Sequence, residues 1–392
     1  MKTPLPSYLT AIRDYLKNRE PDIWKWFIEN RNEKKLVESL RFQLLTSTYR
    51  LDRENESEQP LYNVADEIRE TLGIESPITL YQLQEQSEAN ASMLSLPNEM
   101  HLIFYGQIRT NLSSLELKAL FAHEMAHYLL GTNENNEFQI VDEILTALSH
   151  DSYCGDTYLA SLRLFNLYTE LYCDRVALEM LHDIEPVVSM LVKVRTGLAE
   201  VSAKSYLKQA DEIFAQVPAT GFQSEGFTHP EIFVRTRSLK LWSTCRGDTK
   251  KVDAEIARII QGEPKLDGID LLDRDRLCGL TRQLIDGFLD SKELQTDLTL
   301  SHAKLFFNDY TSPENECEQN IVFSDFPVSD TSLRDYWCFV LLDFAAADHD
   351  LEELPIKKSF EIAQKMNIAD RFAEIAQKEL KLRKRDVQKY LP

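Results

Sequence analysis

Three residues, His123, Glu124 and His127, have the residue types and the spacing that are typical of metal sites catalysing hydrolysis. Residues four apart lie on one face of an α-helix, so both imidazoles can bind one metal ion. A glutamate beside the first histidine can take a proton from a water molecule at that ion. The pattern supplies only two ligands and arises by chance in about one chain of this length in a hundred, so it requires a third ligand from elsewhere.

The sequence around the motif predicts the helix that must hold it. Ser113 and Glu116 have the spacing of a capping box, and Gly131 is typical of the end of a helix. Between these signals, apolar residues recur at helical spacing and predict a broad buried face around the two histidines.

A second stretch offers the missing ligand. Glu170 and Asp174 are four apart in a long predicted helix, residues 156–183. Glu170 would complete a site of two histidines and one glutamate, and Asp174 would accept the ring N–H of a ligating histidine. A solvated acidic pair has the same spacing, but the apolar neighbours Leu171 and Cys173 favour a position at the margin of a buried stripe.

His229 lies at the start of another predicted helix, in a Thr228–Glu231 sequence with capping-box spacing, and Arg235 follows one turn later. A histidine held there can donate a hydrogen bond to a developing oxyanion. Most histidines in such a position are only exposed helix starts, so the role depends on the other motifs. The remaining histidines have no comparable context.

Two short segments before the metal helix, 77–83 and 101–105, alternate as β-strands. They predict a small sheet beside the metal. An exposed edge strand there would hold an extended peptide through backbone hydrogen bonds, and we assign that position to residues 101–105.

Composition narrows the class of protein. The chain has 392 residues and a net charge of −20. Glycines are few, and many segments have apolar residues at helical spacing, so we predict a mainly α fold with a small β-sheet (α+β). The acidic charge disfavours nucleic acid as a partner. The cysteines are scattered without a metal-binding pair, and no apolar run is long enough to insert into a membrane, so a cytoplasmic location is expected.

Taken together, four segments resemble the HtpX and CAAX prenyl protease (Ste-type) family of gluzincin zinc metallopeptidases over about residues 62–243. The matching segments are Asn90-Ala91 with 101–105, the metal helix 115–127, Glu170 to Arg175, and Phe227 to Glu231 with Arg235. Two features depart from the family: most members have membrane helices, and Cys173 stands where the family usually has alanine.

The resemblance implies roles for these residues. His123, His127 and Glu170 would bind one Zn²⁺ per chain, and Glu124 would be the general base. His229 would stabilise the tetrahedral intermediate, with Asp174 and Arg235 supporting the ligands. The residues implied to bind substrate are Asn90, Ala91, Leu102, Ile103 and Phe104.

The C-terminal part has a second resemblance, to the helical TerB-type domains of tellurite resistance, carried by residues 339–353 and 362–368. We therefore predict four regions. These are an N-terminal helical region (1–60), a zinc metallopeptidase domain (61–245), a linker (246–269) and a helical TerB-like domain (270–392).

The predicted function is that of a soluble zinc-dependent endopeptidase acting on a protein or peptide. Two alternatives stay open from the sequence. The chain could be a non-catalytic zinc-binding scaffold, or a latent peptidase regulated by a protein partner through its C-terminal domain. The intact Glu124 argues against the scaffold, because a structural zinc site does not require a base.

Overall fold

The computed structural model covers the whole chain. The residues it describes are 3–392, except 31–32, 86, 152–155, 218–223, 246–248, 263, 312–321, 324–325, 382, 384–386, 388 and 391–392.

The chain forms two compact units, residues 1–262 and 263–392. The N-terminal helices, predicted as a separate region up to residue 60, therefore lie in the same unit as the metal helix. The predicted linker contains a helix, Thr249–Gln261, which belongs to the first unit.

Mainly α structure with one small sheet confirms the predicted fold class. The helices of the first unit are α1 (Ser7–Arg19), α2 (Pro21–Asn30), α3 (Glu33–Ser47), α4 (Gln59–Thr71), α5 (Ile108–Asn111), α6 (Ser114–Thr132), α7 (Glu137–Ser149), α8 (Asp156–Leu181), α9 (Ile184–Thr196), α10 (Ala203–Ala215), α11 (Ile232–Thr244) and α12 (Thr249–Gln261).

The sheet has four strands, β1 (Thr48–Arg50), β2 (Ile78–Leu83), β3 (Asn90–Leu96) and β4 (Glu99–Tyr105), in the order β1-β2-β4-β3. β2 and β4 are parallel, and the other neighbours are antiparallel. The prediction that residues 101–105 form the exposed edge is wrong, because β4 is paired on both sides. The edge nearest the metal helix is β3, which the sequence did not distinguish as a strand.

A tight turn joins β3 to β4, with Leu96 paired to Glu99 across it. Pro97 and Asn98 form the turn, and Asn98 has a φ of 58°. Proline fixes its own φ and asparagine tolerates the left-handed region, so this pair suits a two-residue connection. The turn lets β3 and β4 pair antiparallel, and β3 contacts α6.

Helix α6 lies at the centre of the first unit, against α8, α9, α4 and β3. The predicted capping box is confirmed: Ser113 Oγ accepts from the backbone N–H of Glu116, and the Glu116 carboxylate accepts from the N–H of Ser113. Gly131 does not end the helix, which continues to Thr132. Phe121 packs edge-to-face on Phe104, with ring centroids 6.0 Å apart, and this contact joins α6 to the sheet.

The carboxylate of Glu116 also fixes α6 to α9. Lys193 Nζ donates to Glu116 Oε2 at 2.9 Å and to the backbone carbonyl of Asn111 at 3.0 Å, and Ser189 Oγ donates to Oε1. Burial by itself would raise the pKa of Glu116, but the hydrogen bonds from Ser189, Lys193 and Ser113 outweigh it and lower the pKa below the ordinary 4.5.

The second unit contains five α-helices among its described residues: α13 (Leu271–Phe288), α14 (Asp297–Phe306), α15 (Thr331–Ala345), α16 (Leu354–Lys365) and α17 (Ala369–Glu379). Trp337, Phe344, Phe360 and Phe372 form its core. Asp348 accepts a hydrogen bond from the backbone N–H of Asp350, so it caps a short 3₁₀ turn. The TerB-like identity of this unit stays a prediction.

Across the described part of both units, no helix combines the length and the apolar character that crossing a membrane requires.

We predict that Glu116→Ala lowers the free energy of unfolding by about 3 kcal/mol, because Lys193 is left buried without its partner. The double variant Glu116→Ala/Lys193→Met should recover much of that loss. Chemical denaturation at pH 7 measures both, and equal stability of Glu116→Ala and wild type would contradict the assignment.

The contacts of Glu116 also make the stability of the folded protein depend on pH. Folding lowers the pKa of Glu116, so its charged carboxylate stabilises the folded protein. This stabilisation is fully present at a pH above 4.5, the ordinary pKa, and is lost as the pH falls through the lowered pKa of the folded state. The stability difference between wild type and Glu116→Ala should therefore shrink as denaturation is repeated at successively lower pH below 4.5.

Candidate active site

Helices α6 and α8 bring the predicted ligands together. Nε2 of His123 lies 3.5 Å from Oε2 of Glu170, and Nε2 of His127 lies 3.4 Å from Oε1. Ligand atoms at bonds of about 2.0–2.1 Å in a tetrahedral zinc site are about 3.3 Å apart. Each histidine nitrogen is therefore separated from an oxygen of Glu170 by about the distance between two ligand atoms of one zinc ion.

Two further observations fit a cation at this point. Oε2 of Glu170 is buried and receives no hydrogen bond from the described part of the chain. Although burial by itself would lower the pKa of His123, the carboxylates of Asp174 and Glu170 reverse that effect and raise it well above the ordinary value. The site thus stabilises positive charge at the imidazole of His123, as a site for a divalent cation does.

Asp174 and Arg235 form a buried support beneath the ligands. Asp174 is fully buried, and Arg235 donates to it twice, from Nε to Oδ2 and from Nη2 to Oδ1, each at 2.7 Å. Oδ1 of Asp174 also lies 3.1 Å from Nδ1 of His123. Arg235 Nη2 reaches Oε2 of Glu170 at 3.3 Å, so one guanidinium contacts both Glu170 and Asp174 of α8.

The two glutamates of the cleft have opposite pKa shifts. Burial favours protonation of Glu170, but Arg235 and the two imidazoles hold its pKa well below the ordinary range. For Glu124 burial dominates and raises the pKa. Glu124 lines the cleft, and the described residues donate no hydrogen bond to its carboxylate. It is therefore a carboxylate with a raised pKa that can accept a proton.

His229 approaches the same point from the loop before α11. Its Nε2 lies 3.5 Å from Oε1 of Glu170, its Nδ1 lies 2.9 Å from Oγ1 of Thr228, and 58% of its side chain is exposed. The predicted capping box at Thr228 is wrong. Helix α11 begins at Ile232, and the Glu231 carboxylate instead accepts from Ser224 and from the backbone N–H of Glu225.

Cys173 is a second candidate for the third ligand, which the sequence reasoning missed. Its sulfur lies within 4.8 Å of ring nitrogens of His123 and His127. It is fully buried, and burial together with the carboxylates of Glu170 and Asp174 raises the pKa of the thiol well above its usual range. Because metals bind the thiolate, and the carboxylate of Glu170 is already charged, we favour Glu170.

A cleft of about 340 Å³ opens over these residues. Asn90 and Ala91 of β3, two of the residues predicted to bind substrate, line it. Leu102 and Phe104 do not: both are fully buried in the central strand β4, where Ile103 also lies. One wall of the cleft is apolar and comes from α9, which the sequence reasoning did not connect with the site; it consists of Met190, Leu191 and Val194.

Two histidines one turn apart on one helix, a glutamate on a second and a carboxylate beside them are the arrangement that metal-dependent hydrolases use. Residues 55–243, just under half of the chain, match the model of peptidase family M48. The match supports a metallopeptidase function for this domain, in a family of zinc enzymes. Neither the curated proteins nor the solved structures give a match to the chain.

The choice between the two third ligands can be measured. We predict that Glu170→Ala weakens zinc binding by more than about 100-fold, since it removes a charged ligand, whereas Cys173→Ala retains one zinc per chain. Metal analysis after dialysis against a competing chelator distinguishes the two. Retention of zinc by Glu170→Ala together with its loss from Cys173→Ala would reverse the assignment.

Proposed function

We propose that this protein is a zinc-dependent endopeptidase that cuts extended polypeptide segments bound along β3. The observation that carries the proposal is the position of Glu124. It lies in the same cleft as the three predicted ligands, and among the described residues no ion pair holds its carboxylate. A structural metal site has no use for such a group.

His123, His127 and Glu170 would hold the zinc. When bound, zinc supplies a Lewis acid that polarises a carbonyl and lowers the pKa of water. Asp174 faces Nδ1 of His123 and so favours the tautomer whose Nε2 lone pair points toward Glu170. Arg235 in turn fixes the orientation of Asp174.

Glu124 would act as the general base and then the general acid. Its raised pKa brings proton uptake closer to neutral pH than for an ordinary glutamate. It would take a proton from the attacking water and deliver it to the leaving amine, so that the amine departs as a neutral group. His229, exposed at the cleft, would donate a hydrogen bond from Nε2 to the oxyanion of the tetrahedral intermediate.

The substrate would add a strand to the sheet. Among the described residues no strand pairs with the outer edge of β3, so its backbone groups are available to an extended peptide. The apolar wall of Met190, Leu191 and Val194 would then favour an apolar side chain next to the bond that is cut.

We predict that Glu124→Gln retains one zinc per chain but lowers peptide cleavage by at least about 1,000-fold, because glutamine cannot accept the proton. Digestion of the unfolded protein β-casein, followed by mass spectrometry, measures the loss. Glu75→Gln, a change of an exposed glutamate, is the matched control. Cleavage by Glu124→Gln at the wild-type rate would refute the mechanism.

For His229→Ala we predict a fall in kcat of about 100-fold with little change in KM and with zinc retained, because the lost hydrogen bond forms only with the oxyanion. His229→Asn, which keeps a donor, should recover part of the rate. Steady-state kinetics on a β-casein-derived peptide test this. A variant that changed KM alone would show that His229 binds the ground state instead.

A further inference from the structure

The first unit contains a second concave surface beside the candidate active site. It is a groove of about 800 Å³, within the range of volumes that bind ligands. Its walls come from α2, α3, the turn between β3 and β4, the end of α6, and α7. The residues used below are Trp26, Leu40, Pro97, Tyr128, Asp142 and Glu143.

Two elements line both the cleft and the groove. β3 lines the cleft with Ser92 and the groove with Leu96. α6 lines the cleft with His127 and the groove with Tyr128 and Thr132. Along both elements the direction from cleft to groove is toward the C-terminal end. A peptide strand that paired with β3 along its whole length would therefore extend from the cleft to the groove.

The strand spacing gives the distance between the two sites. An extended chain advances about 3.3 Å per residue, so Ser92 and Leu96 are about four substrate residues apart. Antiparallel pairing is the commoner and slightly more stable arrangement. A substrate antiparallel to β3 would place in the groove the residues that precede the scissile bond by about four to six positions.

The lining of the groove combines apolar and acidic side chains. Trp26 is 58% exposed, and the partly buried Leu40 and the ring of Pro97 line the same groove. Asp142 and Glu143 of α7 supply carboxylates. Burial, and secondarily the charge of Glu143, raise the pKa of Asp142. This combination matches a segment that carries both an apolar and a basic side chain.

The walls are held in place by the rest of the first unit. Trp24 is buried where α2 packs on α7, and Arg41 of α3 forms an ion pair with Glu99 at the start of β4, at 3.0 Å. Residues 26–40 precede the segment that matches the M48 family, which begins at residue 55. The groove is thus completed by helices that this chain adds to its peptidase domain.

We propose that this groove is a substrate-selecting site for the polypeptide that the cleft cuts. It binds the segment four to six residues N-terminal to the scissile bond and selects an apolar residue together with Lys or Arg. The inference rests on the proposed endopeptidase function and adds to it a determinant of which polypeptides are cut.

The first test uses zinc-loaded, full-length protein and β-casein. Mass spectrometry of the digest locates the cut sites, and positions four to six residues before them should be enriched in apolar and basic residues. Two synthetic peptides are then made around one cut site with identical C-terminal parts. One begins eight residues before the bond and the other two residues before it. The longer peptide should have a kcat/KM about tenfold higher.

Variants connect this difference to the groove. Trp26→Glu and Asp142→Lys should bring the ratio of long-peptide to short-peptide kcat/KM close to one. The matched controls are Phe42→Glu, at an exposed aromatic residue of α3, and Glu75→Lys, at an exposed acid, both outside the groove. These controls should keep the tenfold ratio. Because each variant is compared with itself on two peptides, a partial loss of folded protein does not alter the ratio.

The outcomes separate the two proposals. If wild type cuts both peptides equally well, the groove proposal is overturned while the peptidase stands. If nothing is cut, binding of fluorescein-labelled β-casein is compared by anisotropy. Weaker binding by Trp26→Glu, but not by Phe42→Glu, would then support the groove and refute peptidase activity. Equal binding by both variants would refute both proposals.

Discussion

The buried pair of Arg235 and Asp174 is the interaction on which the candidate site depends. Asp174 is fully buried, and removing a carboxylate from water is costly unless its oxygens are paired. Arg235 pairs with both of them and joins α11 to α8. The same aspartate faces His123, and the same guanidinium reaches Glu170. A change in this pair would therefore move two ligands together.

The charges around the cleft also give its two glutamates, Glu170 and Glu124, different pKa values. Arg235 and the two imidazoles stabilise the charged form of Glu170, which suits a metal ligand. Glu124 has no ion-pair partner within the described part of the chain, and burial raises its pKa, which favours proton transfer. Two carboxylates of the same chemical type thus acquire different properties from their neighbours, a common way of assigning ligand and base roles in an active site.

Local sequence patterns were sufficient for much of this site. The four-residue spacing of His123 and His127 and that of Glu170 and Asp174 place each pair on one helix face, because helix geometry depends only on sequence separation. The start of α6 was predictable for the same reason: the capping box of Ser113 and Glu116 is formed by residues three apart. Mainly α structure followed from periodicity, which is also a local property.

Contacts between distant segments required the tertiary structure. Strand order depends on long-range pairing, so the sequence did not show that β3 forms the edge and β4 the interior. Nor did it show that Cys173 approaches the histidines, that α9 supplies an apolar wall, or that Trp26 lies in a second groove lined by β3 and α6. The sequence by itself determined which side chains share a helix face. Only the packing of helices and strands decided which faces meet, because that packing depends on burial and pairing across the whole unit.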